Sequence, residues 1–334
     1  MNQQIRFWVF AMLIGALAGS FYAFIFHNGK PLIGSAYGIV TALFLLSFER
    51  GHLFARLQKR LKRLSAPLYA LSSISIYVTL IVLSNVIAGS ALLALGVLDD
   101  PFWETVLPTP RILVYSLIVS AFVAFILRMR DLVGSEVFFN LLIGRYYRPV
   151  EEDRVFLFID LVGSTSMAEK MGPMRYQEFL GAFFATLADP VRRAHGSLDD
   201  YIGDMAMITW PLKRGVQDAR CLRCVRAAQR QIERDAGEWR ARFGVVPRFR
   251  AALHCGPVVT AEIGVEKHKI AYVGDTVNAT ARLETLGKAF NEAFLVSSDL
   301  LSKIKLPPGF TVRDLGPHAV RGRDQHLTVM AVDS

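Results

Sequence analysis

The sequence predicts a two-part chain, an α-helical membrane-spanning half followed by a soluble α/β half, and three observations predict it. Apolar residues make up 52% of the 334, and the mean hydropathy of +0.34 is high for a wholly soluble protein. The excess sits almost entirely before residue 128, in four stretches of membrane-crossing length. After residue 145 the pattern changes to short apolar runs separated by polar, helix-compatible segments. The expected division is 1–127 as a membrane domain, 128–150 as a helical linker and 151–334 as the soluble domain.

A hydrocarbon core of about 30 Å takes roughly 20 helical residues. Phe7 to Phe26, Leu32 to Phe48, Leu68 to Leu98 and Ile112 to Leu127 qualify or nearly so. The first resembles a signal peptide, with Arg6 ahead of it and Gly19-Ser20 near its end. Its apolar length and the spans behind it favour a retained helix. The third is too long for one perpendicular span; it tilts, extends beyond the bilayer, or breaks near Asn85 and Gly89.

The loops set the sidedness. A basic cluster (Arg50, Arg56, Lys59, Arg60, Lys62, Arg63) follows span two, and Arg128 and Arg130 follow span four. The connection after span three is acidic and proline-rich, with Asp99, Asp100 and Glu104. The positive-inside tendency therefore places the N-terminus and the soluble domain on the cytoplasmic side of the inner, plasma membrane, as a multi-pass protein. The net charge of +9 is explained by these loops rather than by nucleic acid. No charged residue sits mid-span, which argues against an ion pathway. The linker starts helical and ends at Pro149, and reads equally as a passive tether or as a helix that transmits motion.

In the soluble half, Val155-Phe156-Leu157-Phe158-Ile159 reads as a buried strand ending in Asp160, followed by Leu161-Val162-Gly163-Ser164-Thr165 and a helix-compatible stretch from Ser166 to Asp189. A carboxylate at a strand tip beside a helix N-terminus suits a hard cation with its phosphates. Leu198 to Trp210 reads as a hairpin with Gly203-Asp204 at or near its turn. Two carboxylates brought together could hold a pair of Mg²⁺ ions. The third element is Gly274-Asp275-Thr276-Val277-Asn278, continuing to Arg282. On a helix Asn278 and Arg282 share one face, where an amide and a guanidinium can orient a ribose and neutralise a phosphoryl group.

These three motifs, in this order and spacing, resemble the catalytic domain of class III adenylyl and guanylyl cyclases, from about Arg154 to Val332. The resemblance implies a ferredoxin-like α+β core, dimerised head to tail, so that 151–334 is a class III cyclase catalytic domain carried by an α-helical transmembrane anchor. It makes Asp160 and Asp204 the metal ligands, with the backbone carbonyl of Leu161, for two Mg²⁺ (or Mn²⁺) ions per site. Asn278 and Arg282 come from the opposite subunit of a homodimer. Val320-Arg321-Gly322-Arg323 resembles a basic family segment with Arg for Lys, and Arg321 holds the triphosphate. The implied function is an adenylate cyclase that converts ATP to 3′,5′-cyclic AMP and pyrophosphate. Its alternatives are a guanylate cyclase using GTP or a catalytically silent receptor.

The base-selecting positions depart from the family pattern. Asp200 stands where adenylyl cyclases usually place Lys, and Ala271 where they place Asp or Thr. Guanylyl cyclases use Glu and Cys there. A carboxylate accepts from the adenine amino group or from guanine N1–H and N2–H₂, so ATP is favoured by analogy alone.

The smaller signals read as structural. Cys221 and Cys224 lie within an apparent helix from Asp218 to Arg234, with no second ligand pair. His254 sits near a strand end, and His195 before Gly196 suits a helix C-cap. Arg220 to Arg242 reads as a basic amphipathic helix with a solvated face and no aromatic interleaving for nucleic acid. No Walker loop is present.

Overall fold

The computed structural model describes all residues except 1–2, 27–29, 52, 62–63, 266–267, 319–325 and 334. The chain divides into two compact units, Met1–Asp131 and Leu132–Ser334.

The first unit is helical: α1 (Gln3–Phe26), α2 (Pro31–Glu49), α3 (Ala55–Leu61), α4 (Ala66–Ala94), α5 (Phe102–Val106) and α6 (Pro110–Val133). Among the described residues, four helical stretches are long and apolar enough to cross a membrane. In α4, Asn85 and Gly89 do not break the helix. Its 29 residues run unbroken for about 43 Å, because Asn85 donates its amide to the Ile81 carbonyl at 2.9 Å and so satisfies itself within the helix.

Small residues join α1 to α2. A Cβ on Gly19 would stand 1.9 Å from the Gly34 carbonyl oxygen, and one on Gly38 would stand 2.1 Å from that of Gly15. Only glycine permits backbones this close, and such seams are how helices associate where no hydrophobic force separates protein from lipid. Ser20 and Ser35 hydroxyls meet across the same seam at 2.6 Å.

The second unit contains α7 (Ser135–Leu142), β1 (Val150–Leu161), α8 (Ser164–Met171), α9 (Pro173–Arg193), β2 (Ser197–Ile202), β3 (Met205–Pro211), α10 (Leu212–Val216), α11 (Arg220–Arg234), α12 (Ala236–Phe243), β4 (Phe249–Ile263), β5 (Lys269–Val273), α13 (Asp275–Phe290), β6 (Phe294–Ser297), α14 (Ser298–Leu301), β7 (Thr311–His318) and β8 (Leu327–Asp333). One sheet runs β2-β3-β1-β4-β6-β8-β7, with β5 added to β4. Its first four strands, antiparallel throughout and connected as βαββαβ, reproduce the ferredoxin-like order.

Two expected helices are each two. Ser166 to Asp189 is broken at Gly172, whose φ of +74° lies in the left-handed region, and Pro173 starts α9. The basic stretch Arg220 to Arg242 is broken at Asp235. The start expected at Asp218 falls at Arg220 instead, since Asp218 and Ala219 have φ of +54° and +52°. His195 occupies the left-handed position after α9, with φ of +55° and its N–H on the Arg192 carbonyl at 3.1 Å.

Candidate functional site

Strand side chains alternate, so β1 has two faces. Val155, Leu157, Ile159 and Leu161 enter the core beneath α9, α11 and α12. On the other face Phe156 and Phe158 pack with Met207, Val258, Tyr272 and Val277. Glu152 and Arg154 begin that second face and Asp160, only 5% exposed, ends it.

The β1–β3 register pairs Asp160 with Met205. Asp204 immediately precedes Met205 in a two-residue turn whose first residue, Gly203, has φ of +64°. The two carboxylates thus meet at one end of the sheet. Burial raises the Asp160 pKa; the hydrogen bond from Lys288 lowers it, and the charges of Glu284 and Asp204 raise it again. Leu161 ends the strand, Val162 donates its N–H to the Arg248 carbonyl at 2.8 Å, and left-handed Gly163 (φ +75°) turns the chain into α8. Free N–H groups of the first turn of α8 follow the carboxylates directly, a setting that favours phosphate.

Three neighbours were not legible as site residues. Lys288 of α13 places its Nζ 3.1 Å from Asp160 Oδ2 and 2.8 Å from Glu284 Oε1. Tyr176 of α9 has its pKa raised by burial and then by the Asp204 charge. The i,i+4 pair Glu284/Lys288 was visible in the sequence, but only the packing of α13 shows that it turns toward Asp160. Among the described residues no cluster of three or more His, Cys, Asp or Glu side chains is built to hold a metal. The donor set here is two carboxylates, with the backbone carbonyl of Leu161 next in the chain after Asp160. It is all oxygen, as a hard cation requires, and the Lys288 ammonium paired with Asp160 would have to give way to such an ion. The site fits such an ion.

Asn278 and Arg282 lie on α13, both exposed, and neither makes a hydrogen bond or ion pair among the described residues. At 100° per residue they lie about 120° around the helix from Glu284 and Lys288. The helix therefore turns one face to its own Asp160 and holds Asn278 and Arg282 on another. Its start is fixed by Thr276, buried and donating to the Pro257 carbonyl at 2.8 Å. Gly256 lets it approach, since a Cβ there would stand 2.6 Å from Thr276 Oγ1.

Asp200 lies on β2 and forms an ion pair with Lys269 of β5, a residue sequence reasoning passed over. Ala271 pairs with Ala261 of β4, two positions along β5 from Lys269. The basic segment carrying Arg321 falls outside the described residues. His254 is fully buried, its Nδ1 2.8 Å from Ser297 Oγ. Cys221, Cys224 and Cys255 are buried free thiols; burial pushes Cys221 up to about 12 and Cys255 up to about 11, which keeps them unreactive.

Residues 147–332 match the model of the adenylate and guanylate cyclase catalytic domain. A protein of Rhizobium meliloti (strain 1021), "Adenylate cyclase 2", is 47% identical over 324 residues, covering 97% of this chain and 89% of that protein. "Adenylate cyclase" of Anabaena cylindrica is 28% identical over 182 residues, covering 53% of this chain and 36% of its own length. Among solved structures, a bacterial light-regulated adenylyl cyclase superposes with TM-score 0.57 at 17% identity, covering 67% of this chain and 66% of that one. The adenylyl cyclase CyaB from P. aeruginosa gives 0.50 at 21%, covering 56% and 96%. With the three motifs gathered on this strand order, and the family match spanning more than half of its residues, the chain belongs to the adenylate and guanylate cyclase family.

Proposed function

We propose that the protein is a membrane-anchored adenylate cyclase, forming 3′,5′-cyclic AMP and pyrophosphate from ATP at sites shared between two copies of the chain. The observation that carries this reading is the meeting of Asp160 and Asp204 beside the N-terminus of α8, set by the β1–β3 register. The name of the Rhizobium relative favours ATP.

Asp160, Asp204 and the Leu161 carbonyl would hold Mg²⁺ or Mn²⁺, two ions per site. Bound there, the cations supply Lewis acidity, which eases ionisation of the ribose 3′-hydroxyl and neutralises phosphate charge. The first turn of α8 receives phosphate oxygens on its N–H groups. Arg282 offers its guanidinium to the charge that builds on the phosphoryl group as the 3′-oxygen attacks and pyrophosphate leaves, and Asn278 orients the ribose. Because Asn278 and Arg282 sit on a different face of α13 from Lys288, they serve a partner's carboxylates better than their own, which favours a homodimer. Arg321 is assigned to the triphosphate, and Asp200 and Ala271 to the base.

The proposed organisation is residues 1–127 as a bilayer anchor, 128–150 as a linker and 151–334 as the catalytic domain, with the N-terminus and catalytic domain in the cytoplasm. GTP is the second reading, favoured by the Asp200–Lys269 pair. A carboxylate accepting from N1–H beside an ammonium donating to O6 also suits guanine. The deciding experiment gives the full-length protein in membranes ATP or GTP separately, with Mg²⁺ or Mn²⁺. Cyclic AMP from ATP establishes the reading, cyclic GMP from GTP moves it to guanine, and no product from either rejects it.

A further inference from the structure

A buried polar path runs from the linker to the hairpin that carries Asp200. It begins at Tyr146, 3% exposed, in the segment between α7 and β1. The Tyr146 hydroxyl donates to Glu152 Oε1 at 3.1 Å, and its carbonyl accepts the Glu262 N–H of β4 at 2.9 Å. Glu152 Oε1 also accepts from Thr260 Oγ1 at 2.8 Å and from Arg154 Nη1 at 2.9 Å. Arg154 is 2% exposed, stacks 4.9 Å over the Tyr272 ring and donates through Nη2 to Thr209 Oγ1 at 2.6 Å. Thr209 in turn donates to Asp199 Oδ2 at 2.6 Å, which also accepts from the Tyr272 hydroxyl at 2.7 Å.

Asp199 is where β2 departs from regular pairing. Leu198 pairs with Ile208 and Asp200 with Met207, so Asp199 is the extra residue of a β-bulge. Bulges bend a strand and re-aim the next side chain. This one is held by its own side chain: Oδ2 takes two hydrogen bonds and Oδ1 takes one from Ser197. Relaxing the bulge would strip the half-buried Asp199 carboxylate of its three hydrogen bonds, which makes the arrangement stiff. Tyr272 stands next to Ala271 on β5, so the path touches the neighbours of both residues assigned to the base.

We propose that this path positions the base-reading edge, with Arg154 at its centre and Tyr146 as its control point in the linker, so that a displacement of the linker changes nucleotide recognition before it changes the chemical step. This rests on the reading of Asp200 as the base contact. Tyr146 and Arg154 are positioning residues; neither touches substrate in it. The Tyr146 hydroxyl sets Glu152, Glu152 sets Arg154, and Arg154 with Thr209 sets the bulge that aims Asp200 at its place beside Lys269.

The test uses the full-length protein with Tyr146→Phe, which removes one hydroxyl, and Thr209→Val, which cuts the path at its other end without removing a charge. Arg313→Ala, which breaks a surface pair with Glu292 elsewhere, is the control. For both path variants KM for the preferred nucleotide should rise about three- to tenfold, the ATP-to-GTP ratio of kcat/KM should shift by a similar factor, and kcat should stay within about twofold. Hydrogen–deuterium exchange over residues 197–203 should quicken in both and stay unchanged in the control. Unchanged exchange in Tyr146→Phe overturns the coupling. Quickened exchange with KM and the nucleotide ratio unchanged overturns the link to base recognition. A wild-type protein inactive on both nucleotides rejects the cyclase reading, and is distinguished from a failed coupling because the exchange measurement needs no turnover.

Discussion

Glu152 and Asp160 lie on the same face of β1, and burial works against ionisation of both, yet their partners leave the two pKa values shifted in opposite directions. At Glu152 hydrogen bonds from Thr260, Arg154 and Tyr146 outweigh burial and hold the carboxyl below the usual carboxylate range. At Asp160 burial wins over Lys288, with Glu284 and Asp204 adding repulsion, and the pKa is raised. A carboxyl depressed in the fold contributes stability above its unfolded pKa of about 4.3, and that contribution is lost as pH falls through the lower folded value. Glu152→Gln should therefore cost about 1–3 kcal/mol at neutral pH, and its deficit against wild type should shrink as pH falls below about 4.3. Thermal unfolding at a series of pH values checks this. Asp204 is the plainer test of catalysis: Asp204→Ala should lower turnover by about 100-fold or more while size-exclusion chromatography shows the same assembly as wild type.

At the scale of elements, α13 and the α1–α2 pair each depend on which face a helix offers. α13 turns Ala279 and Leu283 to the sheet, Lys288 to Asp160, and Asn278 with Arg282 to solvent. The α1–α2 pair depends on glycines with no room for a side chain. Gly19→Ile should force the helices apart, costing about 3 kcal/mol, seen as earlier thermal unfolding in detergent and less protein in the membrane. Both features were present in the sequence as spacings. The four-residue spacing of Asn278 and Arg282 was legible because their chemistry drew attention to it. The spacing of Gly15, Gly19, Gly34 and Gly38 was not, because glycine in an apolar run carries no chemistry until a second helix is seen against it. Gly172 and Asp235 broke helices that apolar periodicity had joined, since periodicity continues across a one-residue kink.

At the scale of the whole molecule, sharing of sites between subunits has a countable consequence. An Asp204→Ala chain lacks the carboxylate end of a site, and an Arg282→Ala chain lacks the guanidinium that completes its partner's. Either alone should be inactive. Co-expressed in equal amounts, they should pair at random and recover roughly a quarter of wild-type activity, since half of the dimers are mixed and each mixed dimer keeps one intact site. Activity no higher than the sum of the separate variants would mean that each chain builds its site alone.

By itself the sequence determined what local chemistry and periodicity encode: four apolar helices, the strand that carries Asp160 near its end, the Gly203-Asp204 turn, and the helix that carries Asn278 and Arg282. These depend on residues near one another in the chain, so the pattern is present before folding. Only the tertiary structure decided which side chains meet across strands. The continuous apolar run of β1 hid its two faces, so nothing local showed that Glu152, Arg154 and Asp160 share one of them. The bulge at Asp199, the Lys269–Asp200 pair and the approach of Lys288 to Asp160 depend on strand register and on helix packing. Those are set by burial summed over the whole sheet, and no window of sequence contains them.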